Sequence, residues 1–128
     1  MSFREAEIMR ERAEAFLENA RRLIKERIYD LAAFNIEQYC QLMLKYKLLI
    51  KTGAYPRTHS IMSLLRLLSR ISEDIKPFIE DFNNMMYLTK IEDAYIGARY
   101  LPRRYEEDEV KGMFKFAKEE FRRIVERI

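Results

Sequence analysis

The only histidine of the chain, His59, lies in a short polar segment beside Arg57, Thr58 and Ser60. An imidazole exchanges protons near neutral pH, and an arginine next to hydroxyl groups is suited to holding a phosphate. A helix that begins after this segment would add free N–H groups that favour an anion. The alternative is that these polar residues only cap the helix. Arg57 and His59 are therefore candidate ligand-binding residues.

A second group of candidates lies between residues 95 and 105, where three arginines and three tyrosines fall within eleven residues. A guanidinium binds phosphate as a planar fork, and a tyrosine ring offers a face on which a base stacks. This mixture is typical of nucleotide or single-stranded RNA recognition. In the alternative interpretation, Arg103 and Arg104 pair with the acidic residues that follow, while the tyrosines pack against the protein. The candidates are Tyr95, Arg99, Tyr100, Arg103, Arg104 and Tyr105.

Polar residues also recur along the apolar segment between residues 29 and 51. Asn35, Gln38, Gln41 and Lys45 follow one another at three- and four-residue steps, so that a helix brings them to one side. Buried polar groups need partners, and the pattern therefore predicts an internal network, a wet groove or an interface. A stripe that faces solvent is the alternative. Gln38 and Lys45 are the ligand-binding candidates from this segment.

Signatures of several other chemistries are absent from the sequence. It contains no G-x-x-x-x-G-K-[ST] loop, no G-x-G-x-x-G and no H-E-x-x-H, which excludes nucleotide binding of the usual P-loop or Rossmann kinds. One cysteine and one histidine cannot form a conventional zinc site, and Cys40, in an apolar helix, is a poor nucleophile. Glu92 and Asp93 are interpreted as ordinary helix surface. We expect no metal and no cofactor.

The apolar spacing predicts three helices in the first half of the chain. The first covers residues 3–25, where Arg and Glu fill the positions between the apolar ones. The second covers residues 29–51 and is apolar on most sides, which indicates a central position in the fold or an oligomer interface. Gly53 is expected to end it, and Thr58 is the predicted N-cap of the third.

Two further helices are predicted after the third. Ser72 or Asp74 starts the fourth helix, whose predicted buried face includes Phe78, Phe82, Met85, Met86 and Ile91. That helix either runs on to Tyr100 or breaks before residue 93, and Pro102 must interrupt whatever helix precedes it. The last helix begins near Asp108, after acidic residues that suit a helix N-terminus.

These segments predict one all-α domain over residues 1–128, an antiparallel up-and-down bundle of four to five helices. The net charge is only +3, from 24 basic and 21 acidic side chains, so an anion site must be a local cluster of arginines. The charged N-terminus lacks the apolar stretch of a signal peptide, and no apolar run approaches the roughly 18 residues of a membrane span. A cytoplasmic location is expected. The wealth of Arg, Lys, Glu and Ile suits a thermophile.

Several short motifs, in order and over most of the chain, resemble the prokaryotic HEPN domain. They are Ala32-Ala33-Phe34, Glu37-Gln38, Lys45, Gly53, Pro56, Thr58-His59-Ser60-Ile61, Leu64-Leu65 and Ala98-Arg99-Tyr100 with a proline nearby. The resemblance implies a four- or five-helix bundle, commonly a homodimer. It also implies a protein whose gene often lies beside that of a minimal nucleotidyltransferase, the two forming a toxin–antitoxin or defence pair.

The same resemblance bears on catalysis. Many proteins of the wider superfamily are metal-independent ribonucleases with an arginine followed four to six residues later by a histidine. Arg99 is the counterpart of that arginine, but the residues after it include no histidine. His59 would therefore have to provide proton transfer from another segment. By resemblance only, Tyr105 is a candidate for nucleotide attachment by the partner enzyme.

The leading hypothesis is a nucleotide- or RNA-binding module, homodimeric, that works with a nucleotidyltransferase partner. One alternative is a metal-independent ribonuclease in which His59 carries the proton and Arg99 stabilises the charged transition state. The other alternative is a structural interaction protein whose second helix forms the dimer interface and whose arginines serve in salt bridges.

Overall fold

The computed structural model describes residues 3–128, and all regular elements in that range are helices. They are α1 (Phe3–Lys25), α2 (Tyr29–Thr52), α3 (Ile61–Leu68), α4 (Ile75–Glu80), α5 (Phe82–Tyr100), α6 (Glu107–Phe116) and α7 (Arg122–Glu126). A π-helical turn, Ala117–Phe121, joins α6 to α7, so that one helix continues over residues 107–126. The expected all-α bundle is confirmed. No helix in this range is long and apolar enough to cross a membrane.

Helix α2 lies at the centre of the bundle. It packs against α1, α3, α5 and both ends of the C-terminal helix. Its fully buried side chains include Ala32, Ile36, Tyr39 and Leu44. Neighbours on several sides therefore explain why this helix is apolar around most of its circumference, and its predicted central position is confirmed.

Helix α1 contacts α2 through small residues. Ala6, Ala13 and Ala20 recur every seven residues and are at most 1% exposed. Residues seven apart lie two turns apart on the same side of a helix, so these alanines let the two backbones approach closely. Glu7, Glu11, Arg12 and Glu18 between them are exposed, as the amphipathic pattern predicted, whereas Glu14 binds Arg122 of α7.

The connection between α2 and α3 carries the loop that contains His59. Gly53 ends α2 with φ at 88°, a left-handed conformation that glycine adopts at little cost. The N-cap of α3 is Ser60 and not Thr58, because the Ser60 hydroxyl accepts the Ser63 N–H at 3.1 Å. Thr58 instead accepts the Ser60 N–H at 3.1 Å, which orders the loop before the cap.

The segment expected to form a single fourth helix is divided into α4 and α5 at Asp81. Asp81 has an extended backbone, and its carboxylate accepts the Asn84 N–H at 3.0 Å, which caps a new helix. Phe82, Met85 and Met86 then face outward with exposures of 77%, 42% and 48%, so their predicted burial is wrong. The residues that α5 buries are Leu88, Ile91, Ala94 and Gly97.

The C-terminal helix closes the bundle. It begins at Glu107, next to the predicted start at Asp108. Val110, Met113 and Phe121 are fully buried on its inner side, as expected. The π-helical turn before α7 adds one residue to the helical repeat, which the apolar pattern did not reveal.

Candidate functional site

Tyr95, on α5, is the centre of the candidate site. The His59 ring stacks on the Tyr95 ring with centroids 4.3 Å apart and planes inclined by 5°. One turn further along α5, the Arg99 guanidinium carbon lies 4.8 Å from the centroid of the same ring. The structure therefore brings three of the predicted site residues together, although His59 is distant from the other two in the sequence.

Arg99 packs on three aromatic rings at once. Its guanidinium carbon lies 4.6 Å from the ring centroid of Phe34 and 4.9 Å from that of Tyr100, in addition to its contact with Tyr95. Two of its nitrogens, Nε and Nη2, donate to the Tyr95 carbonyl oxygen. Arg99 is exposed and makes no ion pair with a carboxylate of residues 3–128. Its remaining N–H donors and its charge are free to bind phosphate.

Glu92 fixes the loop that carries His59. Its Oε1 accepts hydrogen bonds from the Ser60 hydroxyl and from the Met62 N–H, both at 2.9 Å. At the start of α3 the Met62 N–H thus binds a carboxylate of the protein itself and the Ser63 N–H binds the Ser60 hydroxyl, so a ligand phosphate must be held by side chains instead. The interpretation of Glu92 as ordinary helix surface is therefore wrong, whereas its neighbour Asp93 is exposed.

Two cavities lie along α5, and one of them adjoins the stacked rings. The first, of about 360 Å³, includes His59 and Tyr95 in its lining. The second, also of about 360 Å³, is more apolar and lies along the N-terminal half of α5. They share Asp93, Arg103 and Tyr105, so together they form a groove along α5. The remaining lining residues of the second cavity are Phe82, Met85, Met86, Thr89 and Lys90.

Arg103 is held by the protein. Its two terminal nitrogens donate to the two carboxylate oxygens of Glu109 at 3.2 and 3.0 Å. The Lys90 ammonium binds Glu109 as well, at 2.6 Å. Although burial opposes ionisation, the hydrogen bonds from Arg103, Lys90 and the Glu106 N–H lower the pKa of Glu109 to about 2. For Arg103, the structure therefore supports the salt-bridge interpretation.

Tyr105 packs inward beside this ion pair. It is 5% exposed, and the Arg103 guanidinium carbon lies 4.1 Å from its ring centroid. Its hydroxyl approaches Gly97, where an added Cβ would come within 3.0 Å of it. Its N–H donates to Asp30 at 2.8 Å. A modifying enzyme would therefore meet a ring that is almost entirely covered.

The two remaining arginines among the candidates stay at the surface. Arg104 is 91% exposed and lies at the limit of an ion pair with Asp30, at 4.0 Å. Arg57 is exposed on the loop that carries His59. Both therefore add positive charge to the surface without any rearrangement of the core.

Gln38 and Lys45 belong to an internal network built around Glu37, a residue to which the sequence assigned no chemistry. Glu37 is fully buried, and its two carboxylate oxygens accept from Gln38 and Gln41, each at 2.7 Å. Lys45 donates to the Gln41 side-chain oxygen at 2.9 Å. Of the alternatives that the sequence left open, the structure shows an internal network at Gln38, Gln41 and Lys45, and Gln38 and Lys45 are occupied within it.

The environment of Glu37 favours its neutral form. Burial raises the pKa of Glu37 to about 7, although the hydrogen bonds from Gln41 and Gln38 and the charges of Lys45 and Arg99 act in the opposite direction. Cys40, one turn away, is also fully buried, and burial raises the pKa of its thiol. Within residues 3–128 no group of three or more His, Cys, Asp or Glu side chains is arranged to hold a metal ion.

The structure thus defines a helical bundle with an exposed cluster of His59, Tyr95 and Arg99 on one side of α5. The HEPN domain model matches residues 6–128, so the chain belongs to the HEPN domain family, as its motifs suggested. A comparison with curated proteins found no match. Family membership supports a nucleotide- or RNA-related role, and HEPN domains commonly dimerise.

Proposed function

We propose that this HEPN domain binds the nucleotide units of single-stranded RNA at the surface formed by His59, Tyr95, Arg99 and Tyr100. The observation that carries the proposal is Arg99, an exposed cation that rests on three aromatic rings and has no carboxylate partner in the described chain. Such a cation binds a phosphate, while the 70% exposed ring of Tyr100 offers a face to a base.

The biological setting of the proposal follows from the family resemblance. We place the domain in the cytoplasm, as the partner of a minimal nucleotidyltransferase in a toxin–antitoxin or defence pair. Support for this part comes from the HEPN match alone. A free nucleotide presents the same phosphate and base to the site as RNA does. A competition experiment, in which a free nucleotide is tested for displacement of bound RNA, distinguishes the two ligands.

Arg99→Ala is expected to weaken the binding of labelled single-stranded RNA about tenfold, or about 1.4 kcal/mol, because one phosphate contact and one stacking platform are lost. Fluorescence anisotropy at a fixed salt concentration measures this change. The matched control is Arg21→Ala, which removes an exposed arginine of α1 that pairs with Glu18. Equal affinities of the two variants, both folded by circular dichroism, would contradict the proposed site.

A second candidate function is metal-independent RNA cleavage, because the fold brings His59 and Arg99 to the same ring. His59 would then transfer the proton and Arg99 would stabilise the developing charge. His59→Phe retains a flat ring for Tyr95 but cannot transfer a proton. In the presence of a chelator, the variant is expected to bind RNA and to leave it intact, whereas the original protein cleaves it. Cleavage at an unchanged rate by the variant would exclude His59 from the reaction.

A further inference from the structure

A third cavity, of about 170 Å³, lies between α1, α2 and α7. Drug-sized ligands occupy about 300 Å³ or more, so a cavity of this size takes a molecule smaller than a nucleotide. Tyr39 lines it, whereas Phe34, five residues earlier on α2, contacts Arg99 of the candidate RNA site. Five residues turn an α-helix by about 140°, so the cavity and the RNA site lie on different sides of α2.

The Tyr39 hydroxyl lacks a partner. Among the buried side-chain nitrogen and oxygen atoms of residues 3–128, it alone makes no hydrogen bond, and an unpaired buried hydroxyl costs free energy. Burial raises the pKa of Tyr39, and the charges of Arg122, Glu14 and Glu126, which all line the cavity, also act on it. The Arg122 guanidinium carbon lies 5.6 Å from the Tyr39 ring centroid, and its side chain is 34% exposed. A small shift of this arginine therefore opens the hydroxyl to a ligand in the cavity.

Two opposite charges of the cavity lining are also without partners. Neither Lys47 nor Glu126 makes an ion pair within the described part of the chain. The other charged lining residues are paired, since Arg122 binds both carboxylate oxygens of Glu14, at 2.7 and 2.9 Å, and Arg10 binds a carboxylate of its own helix. Burial lowers the pKa of Lys47, so its ammonium group has lost part of its hydration and gains from a bound anion.

We propose that this cavity binds a free α-amino acid with a small aliphatic side chain. Lys47 and the Tyr39 hydroxyl bind the carboxylate of the amino acid, and Glu126 binds its ammonium group. The aliphatic side chain packs against Met43 and Val125, the apolar part of the lining. Each unpaired group of the cavity then has a partner, whereas a simple anion such as phosphate would be repelled by Glu126.

The ligand class is tested by isothermal titration calorimetry of the whole chain. L-valine is compared with isovalerate, which lacks the ammonium group, with isobutylamine, which lacks the carboxylate, and with inorganic phosphate. L-valine should bind, and each of the other three should bind about tenfold more weakly or less, because each lacks one charged contact. Equal affinity for L-valine and isovalerate, binding of phosphate alone, or no binding of L-alanine, L-valine or L-leucine would overturn the proposal.

Two variants test the residues. Tyr39→Phe removes only the unpaired hydroxyl, so its melting temperature without ligand should be unchanged or higher, while its affinity for L-valine should fall about tenfold. Lys47→Met should lower that affinity to a similar extent. The matched control is Lys51→Met, at an exposed lysine one turn further along α2, which should bind L-valine within about twofold of the original protein because an exposed charge is screened.

RNA binding should be unchanged in all three variants, since the candidate RNA site lies on another side of α2. An unchanged affinity for L-valine in Tyr39→Phe or Lys47→Met, or an equal loss in Lys51→Met, would overturn the proposal. So would a lower melting temperature of Tyr39→Phe without ligand, because it would show that the hydroxyl already has a partner.

Discussion

Glu92→Ala is expected to lower the free energy of unfolding by about 1.5 to 3 kcal/mol, the range for hydrogen bonds to charged groups. One carboxylate oxygen binds both the Ser60 hydroxyl and the Met62 N–H, and it lies at the positive N-terminus of α3. Its removal leaves the Met62 N–H, in the half-buried first turn of α3, without its partner. Urea denaturation of the two proteins at neutral pH measures the difference.

Asp93→Ala is the matched control for that prediction. Asp93 is the next residue, carries the same charge and is exposed, so its replacement should change the free energy of unfolding by no more than about 0.5 kcal/mol. Glu92→Ala should also weaken RNA binding, because Glu92 holds the loop that positions His59 against Tyr95. Equal stabilities of the two variants would show that the carboxylate of Glu92 does not anchor this loop.

The contrast between Glu92 and Asp93 shows where sequence-based prediction ends. Two adjacent acidic residues on a charged helix are indistinguishable by type and spacing. Which of them meets the N-terminus of α3 depends on the rotation of α5 about its own axis. That rotation is set by the burial of Leu88 and Ile91, and therefore by packing across the whole bundle.

The positions of the helices can be predicted more fully from the sequence, because they depend on local periodicity. The first and last residues of α1 and α2 follow from apolar spacing and from Gly53. Gly53 is the only residue between α2 and α3 with a positive φ. The break at Asp81 was missed, since an aspartate within an apolar pattern also fits the surface of a continuous helix. The Asp81 carboxylate accepts the Asn84 N–H and caps a new helix, α5. In this helix Phe82 and Met86 face the surface.

The residue types predicted which residues form the candidate site better than they predicted the contacts that those residues make. The lone histidine and the run of Arg and Tyr identified His59, Tyr95 and Arg99, which do meet. The same run also contained Arg103 and Tyr105, which the fold uses for an ion pair and for packing. The sequence does contain an indication that Glu37 is unusual. A carboxylate in a helix that is apolar on most sides must be buried or lie at a groove.

Glu37→Gln is expected to remove a pH dependence of about 3 kcal/mol from the free energy of unfolding. Burial raises the pKa of Glu37 from 4.5 to about 7 in the folded chain. Between these values the unfolded chain releases a proton that the folded chain retains, so stability falls as pH rises and levels off above about 7. The difference between the two pKa values, at 1.36 kcal/mol per unit, gives the expected magnitude of about 3 kcal/mol.

A glutamine at position 37 fits the same space and can still accept from Gln41, while the half-buried Gln38 amide can turn to accept its new N–H group. Relative to the original protein, the variant should therefore gain stability between pH 5 and pH 7 in urea titrations, and the difference should change little above about pH 7. Glu109→Gln serves as the control, because hydrogen bonds from Arg103 and Lys90 prevail over burial and lower the pKa of Glu109 to about 2. Its effect on stability should be constant over the same pH range and change only in more acidic solution. A constant difference for Glu37→Gln as well would mean that the buried carboxylate is ionised throughout, balanced by Lys45 and Arg99.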